Sequence, residues 1–136
     1  MTKLIVSLAI SAVCLAAATA AGAGSAARHV PTAGSWYSDY FVSPTGNIRC
    51  RYFSYQSVLA CKTLNNGRVA VAPLYGAAYA GYIGDYSFPS GPVLYYGQTY
   101  TVSDQFRCVS RVNGMFCRSL QSGRGFGLAR EGYRLY

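Results

Sequence analysis

Cys61-Lys-Thr-Leu-Asn-Asn-Gly67-Arg68 and Cys117-Arg-Ser-Leu-Gln-Ser-Gly123-Arg124 match at every position in identity or type. Both read cysteine, base, hydroxyl, leucine, amide, small polar residue, glycine, arginine. The likeness extends outward. Asn47-Ile-Arg-Cys50 and Gln105-Phe-Arg-Cys108 lead into the two copies, and Val69 to Ala72 reads against Phe126 to Ala129. Each copy is expected to be one unit: strand, tight connection, strand, glycine turn, strand. Ile48 to Phe53 and Ser57 to Leu64 alternate well enough to pair around Tyr55-Gln56. Arg111-Val-Asn-Gly114 carries an Asn-Gly hairpin signature. If these four residues form the loop, Cys108 falls opposite Cys117.

Four cysteines allow three connectivities. The hairpins favour Cys50–Cys61 and Cys108–Cys117. A bridge closing about ten residues is worth roughly 2–3 kcal/mol in the chain-entropy model, a large part of a total stability of about 5–10 kcal/mol. Zinc ligands usually come in pairs two to four residues apart, a pattern these spacings do not follow. All thirteen tyrosines lie after residue 36, turn residues recur every few positions, and long helical patterns are absent. The fold class expected is all-β: a small, disulfide-stapled antiparallel domain, sandwich or partly open barrel, built from two related three-strand units.

Residues 1–23 read as a secretory signal peptide. Lys3 supplies the basic start and Leu4 to Ala20 the apolar run. Small-x-small patterns at Ala18-Thr-Ala20 and Ala21-Gly-Ala23 place cleavage between residues 20 and 27. A membrane anchor is the rival reading, but the run is short, rich in alanine and lacks a basic stop. Lipidation at Cys14 would need a small residue where Val13 stands. Residues 24–40, with the sole His29 and Trp36, are expected to be a flexible lead-in, followed by a single β domain over 41–136. Within it, residues 73–92 read as a Tyr/Gly-rich surface loop, with room for one loose helical turn. Val93 to Val102 reads as a strand bent at Gly97, and the tail after Glu131 as docked through Tyr133. In Gly123-Arg-Gly-Phe-Gly127 the glycines are expected where a backbone or an aromatic ring approaches closely.

Ser43-Pro-Thr-Gly-Asn-Ile-Arg-Cys50, Leu94-Tyr-Tyr-Gly-Gln-Thr99, Phe106-Arg-Cys108, Gly114-Met-Phe-Cys117 and Gly123-Arg-Gly-Phe126, followed by Arg130 to Tyr133, occur in one order. Together they resemble a family of small exported bacterial proteins known only as a domain of unknown function. The likeness covers residues 41–134, with residues 73–92 departing from it. It implies export and paired cysteines, and brings no activity or catalytic residue.

The chain carries a formal net charge of +8. After Ala23, eleven bases face Asp39, Asp85, Asp104 and Glu131, a net +7. Such a field favours polyanions. The candidate anion-binding residues are Arg49, Arg51, Arg107, Arg111, Arg118 and Arg124, interleaved with Tyr52, Tyr55 and Tyr100. Arg forks suit phosphate and carboxylate, and tyrosine faces suit sugars. A solvated polar face is the plain alternative. Few acid–base pairs are available: His29 lies in the lead-in, Glu131 sits between Arg130 and Arg134 where a surface ion pair would account for it, and no nucleophile elbow occurs.

The function expected first is therefore a non-enzymatic exported binding module for an anionic envelope polymer or an acidic protein. The second is a secreted inhibitor or host-interaction protein using the Arg111–Gly114 loop, and the third a small hydrolase using Asp85 or Asp104. No cofactor or metal is implied, nucleic acid is not expected as a physiological partner, and no membrane span remains after cleavage. The location expected is extracellular or associated with the cell envelope.

Overall fold

The computed structural model describes residues 38–81 and 86–136. The expected signal peptide with its cleavage region, Cys14, His29, Trp36, Tyr37, Tyr82 and Asp85 lie outside the described residues. Among the described residues ten strands form: β1 (Tyr40–Val42), β2 (Ile48–Phe53), β3 (Val58–Thr63), β4 (Val69–Pro73), β5 (Tyr79–Ala80), β6 (Thr99–Val102), β7 (Phe106–Arg111), β8 (Gly114–Ser119), β9 (Gly125–Leu128) and β10 (Tyr133–Leu135). They make two antiparallel sheets, ordered β1-β2-β3-β4-β5 and β10-β9-β8-β7-β6. Among the described residues no ladder joins the sheets, so the arrangement is a sandwich rather than a barrel.

The repeat is a structural repeat. Each three-strand unit is the centre of a five-stranded sheet, widened by one short strand on either side. Cys50 faces Cys61 and Cys108 faces Cys117, and both pairs are bonded. The cysteine separations of 11 and 9 residues differ because the β2–β3 hairpin loop is two residues longer than that of β7–β8. The glycine turns match bond for bond. Thr63 N–H donates to Arg68 C=O and Gly67 N–H to Thr63 C=O, both at 2.9 Å; Ser119 N–H donates to Arg124 C=O at 2.9 Å and Gly123 N–H to Ser119 C=O at 3.0 Å. Gly67 and Gly123 take φ of +70° and +73°, the left-handed region where a Cβ is strained.

Four details differ from the sequence reading. Ala70 faces Cys61 and Phe126 faces Cys117, so Val69–Ala72 is equivalent to Gly125–Leu128, one residue earlier than the side-chain types suggest. The Asn-Gly pair does not make a primed turn: neither Val112 nor Asn113 takes positive φ. Gly114 is instead the first residue of β8, where a Cβ would stand 2.5 Å from the Leu128 carbonyl oxygen. Val93 to Val102 is not one strand. Val93 makes an isolated parallel bridge to Val42, Leu94 is fully buried, and a turn at Gly97 precedes β6. Within the described part of the 73–92 segment, Tyr79–Ala80 form β5 and no helix occurs.

Alternation divides β2, β6, β7 and β8 between core and surface. Phe41, Cys50, Leu59, Cys61, Ala70 and Ala72 from the first sheet meet Tyr100, Phe106, Cys108, Met115, Cys117, Phe126 and Leu128 from the second. Equivalent residues meet across the sandwich. The rings of Phe41 and Tyr100, each opposite the first cysteine of its unit, pack edge to face at 5.3 Å. The symmetry is broken where β4 and β9 approach each other. Ala70 and Ala72 stand where the second copy has Phe126 and Leu128, and small side chains opposite large ones fill the layer without overlap.

Candidate functional site

The two outer faces differ, and the difference locates the site. Arg49 and Lys62 face each other across β2 and β3, as Arg107 and Arg118 do across β7 and β8. These pairs are equivalent through the repeat. On the first sheet the outer face is largely apolar, with Phe53, Val58, Ala60, Val69 and Val71 buried beneath Phe88. The segment carrying Phe88 also occupies the cations. Arg49 Nη1 donates to Phe88 C=O at 3.2 Å, and Arg51 Nη1 to Ser87 C=O at 2.9 Å. Lys62 Nζ lies 6.0 Å from the Phe88 ring centroid, and the Arg51 guanidinium 4.9 Å from that of Phe53.

The second sheet presents its cations differently. Arg107, Arg111, Arg118 and Arg134 line one open groove of about 610 Å³, together with Phe116 and Tyr136. All four arginines are exposed. Among the described residues none of them has a carboxylate partner or a side-chain hydrogen bond. Arg111 stacks on Phe116, its guanidinium 5.8 Å from the ring centroid. The glycines of β9 lie close against β8. A Cβ on Gly127 would stand 2.5 Å from the Phe116 ring, and one on Gly125 2.0 Å from Cys117 C=O, as the close-approach reading of this segment requires. Tyr136 closes one side. Its main chain exchanges hydrogen bonds with Gly125 at 2.8 and 3.0 Å, and its hydroxyl lies 3.4 Å from the carbonyl oxygens of Cys117 and Phe126. Burial pushes the Tyr136 phenol above its ordinary value of 10.0, and the Arg118 cation partly offsets this.

A second groove, of about 560 Å³, lies at one end of the sandwich. Tyr96, the hairpin residues Arg111 and Asn113, Arg130 and Glu131 line it, with Asn47 and Asn65 behind. The two asparagines are tied to each other: Asn65 N–H donates to Asn47 Oδ1 at 3.0 Å, and Asn47 Nδ2 to Asn65 Oδ1 at 3.2 Å. Arg111 lines both grooves.

Arg107, Arg111 and Arg118 are thus brought together on the second sheet, while Arg51, Tyr52 and Tyr55 border a separate groove of about 350 Å³ beside Asp39 and Tyr86. Arg49 and Arg51 do share a strand face, but the segment around Phe88 engages both. Arg124 sits in the exposed β8–β9 turn and lines neither groove. Tyr52 is buried in the core, its hydroxyl donating to Gln105 Oε1 at 2.7 Å. Tyr100 is likewise buried, donating to Ser38 C=O at 2.8 Å. Tyr55 is fully exposed at the β2–β3 hairpin. Asp104 stands in the β6–β7 turn with φ of +54° and lines neither groove. Glu131 forms no ion pair among the described residues and borders the end groove instead.

Sequence reasoning missed Phe116, Arg134 and Tyr136. Phe116 was legible, since a residue next to inward Cys117 must point outward. Arg134 and Tyr136 depend on how β10 pairs with β9, which no local pattern announces.

The Sγ atoms of Cys50, Cys61 and Cys117 lie within 4.8 Å of one another. Each is closed into a disulfide, so none offers a thiolate. The two disulfides are consistent with an extracellular location, and no helix among the described residues is long and apolar enough to cross a membrane. Comparison with protein-family models, with curated proteins and with solved structures finds no match to this chain.

Proposed function

We propose that the protein is a non-enzymatic, exported binding module whose ligand is an anionic polymer of the cell envelope or an acidic protein, docked on the outer face of the second sheet. One contrast carries this reading. The repeat supplies both sheets with a facing pair of cations, and among the described residues only the first sheet carries a segment that engages them. Arg107 and Arg118 face each other without a counter-charge among the described residues, an arrangement that costs stability and that an anionic ligand would relieve. Four guanidinium forks beside Phe116 and Tyr136 suit carboxylates or phosphates carried on a backbone with apolar faces. The test is binding of the oxidised protein to anionic wall material across a salt series. Binding that weakens steeply with salt, and falls in Arg107→Gln/Arg118→Gln, supports the reading. Absence of binding at low salt, or binding indifferent to both salt and the substitutions, overturns it.

A second reading is a secreted inhibitor. The observation favouring it is Val112, 84% exposed at the tip of a disulfide-held hairpin. A single protein partner lost on Val112→Asp with the arginines intact would support it; retention of that partner would count against it.

A further inference from the structure

The arginine face and the end groove are contiguous, because the Arg111 side chain lines both. Their chemistries differ. The face presents cations and aromatic rings. The end groove presents Tyr96, 45% exposed, the exposed Asn113 amide, two cations and the Glu131 carboxylate. An amide offers donors and acceptors together, whereas a carboxylate offers acceptors only. Arg111 and Arg130 leave the groove net positive, and Glu131 adds an acceptor that a hydroxyl can fill and that a deprotonated carboxylate or phosphate cannot. A tyrosine face with one polar tip suits a ring that is apolar on its faces and hydroxylated at its edge.

We infer that the ligand is an acidic glycan: a chain whose charged groups seat on Arg107, Arg118 and Arg134, and whose adjoining sugar lies in the end groove against Tyr96, hydrogen-bonded to Asn113 and Glu131. This inference rests on the binding-module reading and narrows it from any polyanion to a polyhydroxylated one. Arg111 spans the junction, its guanidinium held over Phe116.

Calorimetric titration of the oxidised protein with three probes of matched length tests it: polygalacturonate, poly-glutamate and polyphosphate. The uronate polymer is expected to bind about ten-fold more tightly than the other two. Tyr96→Ala/Asn113→Ala, at exposed positions, removes that preference and leaves poly-glutamate binding unchanged. Arg107→Gln/Arg118→Gln weakens all three by at least ten-fold. Equal affinities, or a preference that survives Tyr96→Ala/Asn113→Ala, overturn the glycan inference while the basic-face reading stands. Binding of all three unaffected by the arginine substitutions, or no binding of any probe, overturns both. Unchanged thermal unfolding of each variant separates loss of binding from loss of fold.

Discussion

The Sγ atoms of Cys61 and Cys117 lie 4.0 Å apart, so equivalent sulfurs of the two repeats touch at the centre of the sandwich while each is bonded within its own sheet. All four cysteines are fully buried. A reductant therefore reaches the bonds only when the domain opens. Reduction under native conditions is expected to be slow and to accelerate sharply at the denaturation midpoint, as read by thiol labelling. Replacing Cys108 and Cys117 with alanine should cost about 2–3 kcal/mol from chain entropy, with a further loss where the sulfurs pack, read from urea unfolding. A non-reducing peptide map of the wild type should return only the Cys50–Cys61 and Cys108–Cys117 links.

The glycines of β9 should rank by what lies above them. Gly125→Ala drives a methyl group into the Cys117 carbonyl and Gly127→Ala into the Phe116 ring. Backbone yields less readily than a side chain. Gly125→Ala is expected to destabilise by about 3 kcal/mol or more and Gly127→Ala by roughly 1–3 kcal/mol, as for other overpacked sites. Gly123→Ala meets open space at positive φ and should cost only the left-handed penalty of about 1–2 kcal/mol. Unfolding midpoints of the three variants check the order.

Tyr136 makes stability fall in alkali. Burial raises its folded pKa above the unfolded 10.0, and Arg118 pulls it back. The folded state therefore holds the phenol proton more tightly. Its contribution is complete below pH 10.0 and disappears as the pH rises through the folded value. Tyr136→Phe should flatten that part of the stability profile. Arg118→Gln removes the offsetting cation, so phenolate absorbance should show one tyrosine titrating higher than in the wild type. An unmoved titration would show that Arg118 does not reach the phenol in solution.

Arg107 and Arg118 should trade stability against binding. Cross-strand like charges are destabilising by about 0.2–1 kcal/mol, so Arg107→Gln is expected to leave stability unchanged or slightly higher at low salt while anionic polymer binding falls. The equivalent first-sheet substitution, Arg49→Gln, removes a hydrogen bond to Phe88 C=O and should destabilise by about 1 kcal/mol with no effect on that binding. Thermal unfolding and binding titrations on the same two variants distinguish the faces.

Much of this architecture is local in origin. Alternation about each cysteine put the side chains of one strand on two faces, and the repeated Cys-base-hydroxyl-Leu stretch marked where each glycine turn must come. The cysteine pairing followed because hairpin partners are set by loop length, which depends only on neighbouring residues. Glu131 illustrates the limit. Its sequence neighbours Arg130 and Arg134 suggested an ion pair, but consecutive residues of a turn diverge, and the carboxylate borders a groove built by five separated segments.

The sequence by itself determined the β class, the two disulfides and the duplicated unit, because each is a relation between residues a few positions apart. Only the tertiary structure decided which arginines are engaged. Residues 87 and 88 fold back over the first sheet and occupy Arg49 and Arg51, whereas the tail adds β10 to the second sheet and brings Arg134 and Tyr136 beside Arg107 and Arg118. Equivalent strands thus carry cations with opposite fates, and what separates them is long-range packing, which no local pattern encodes.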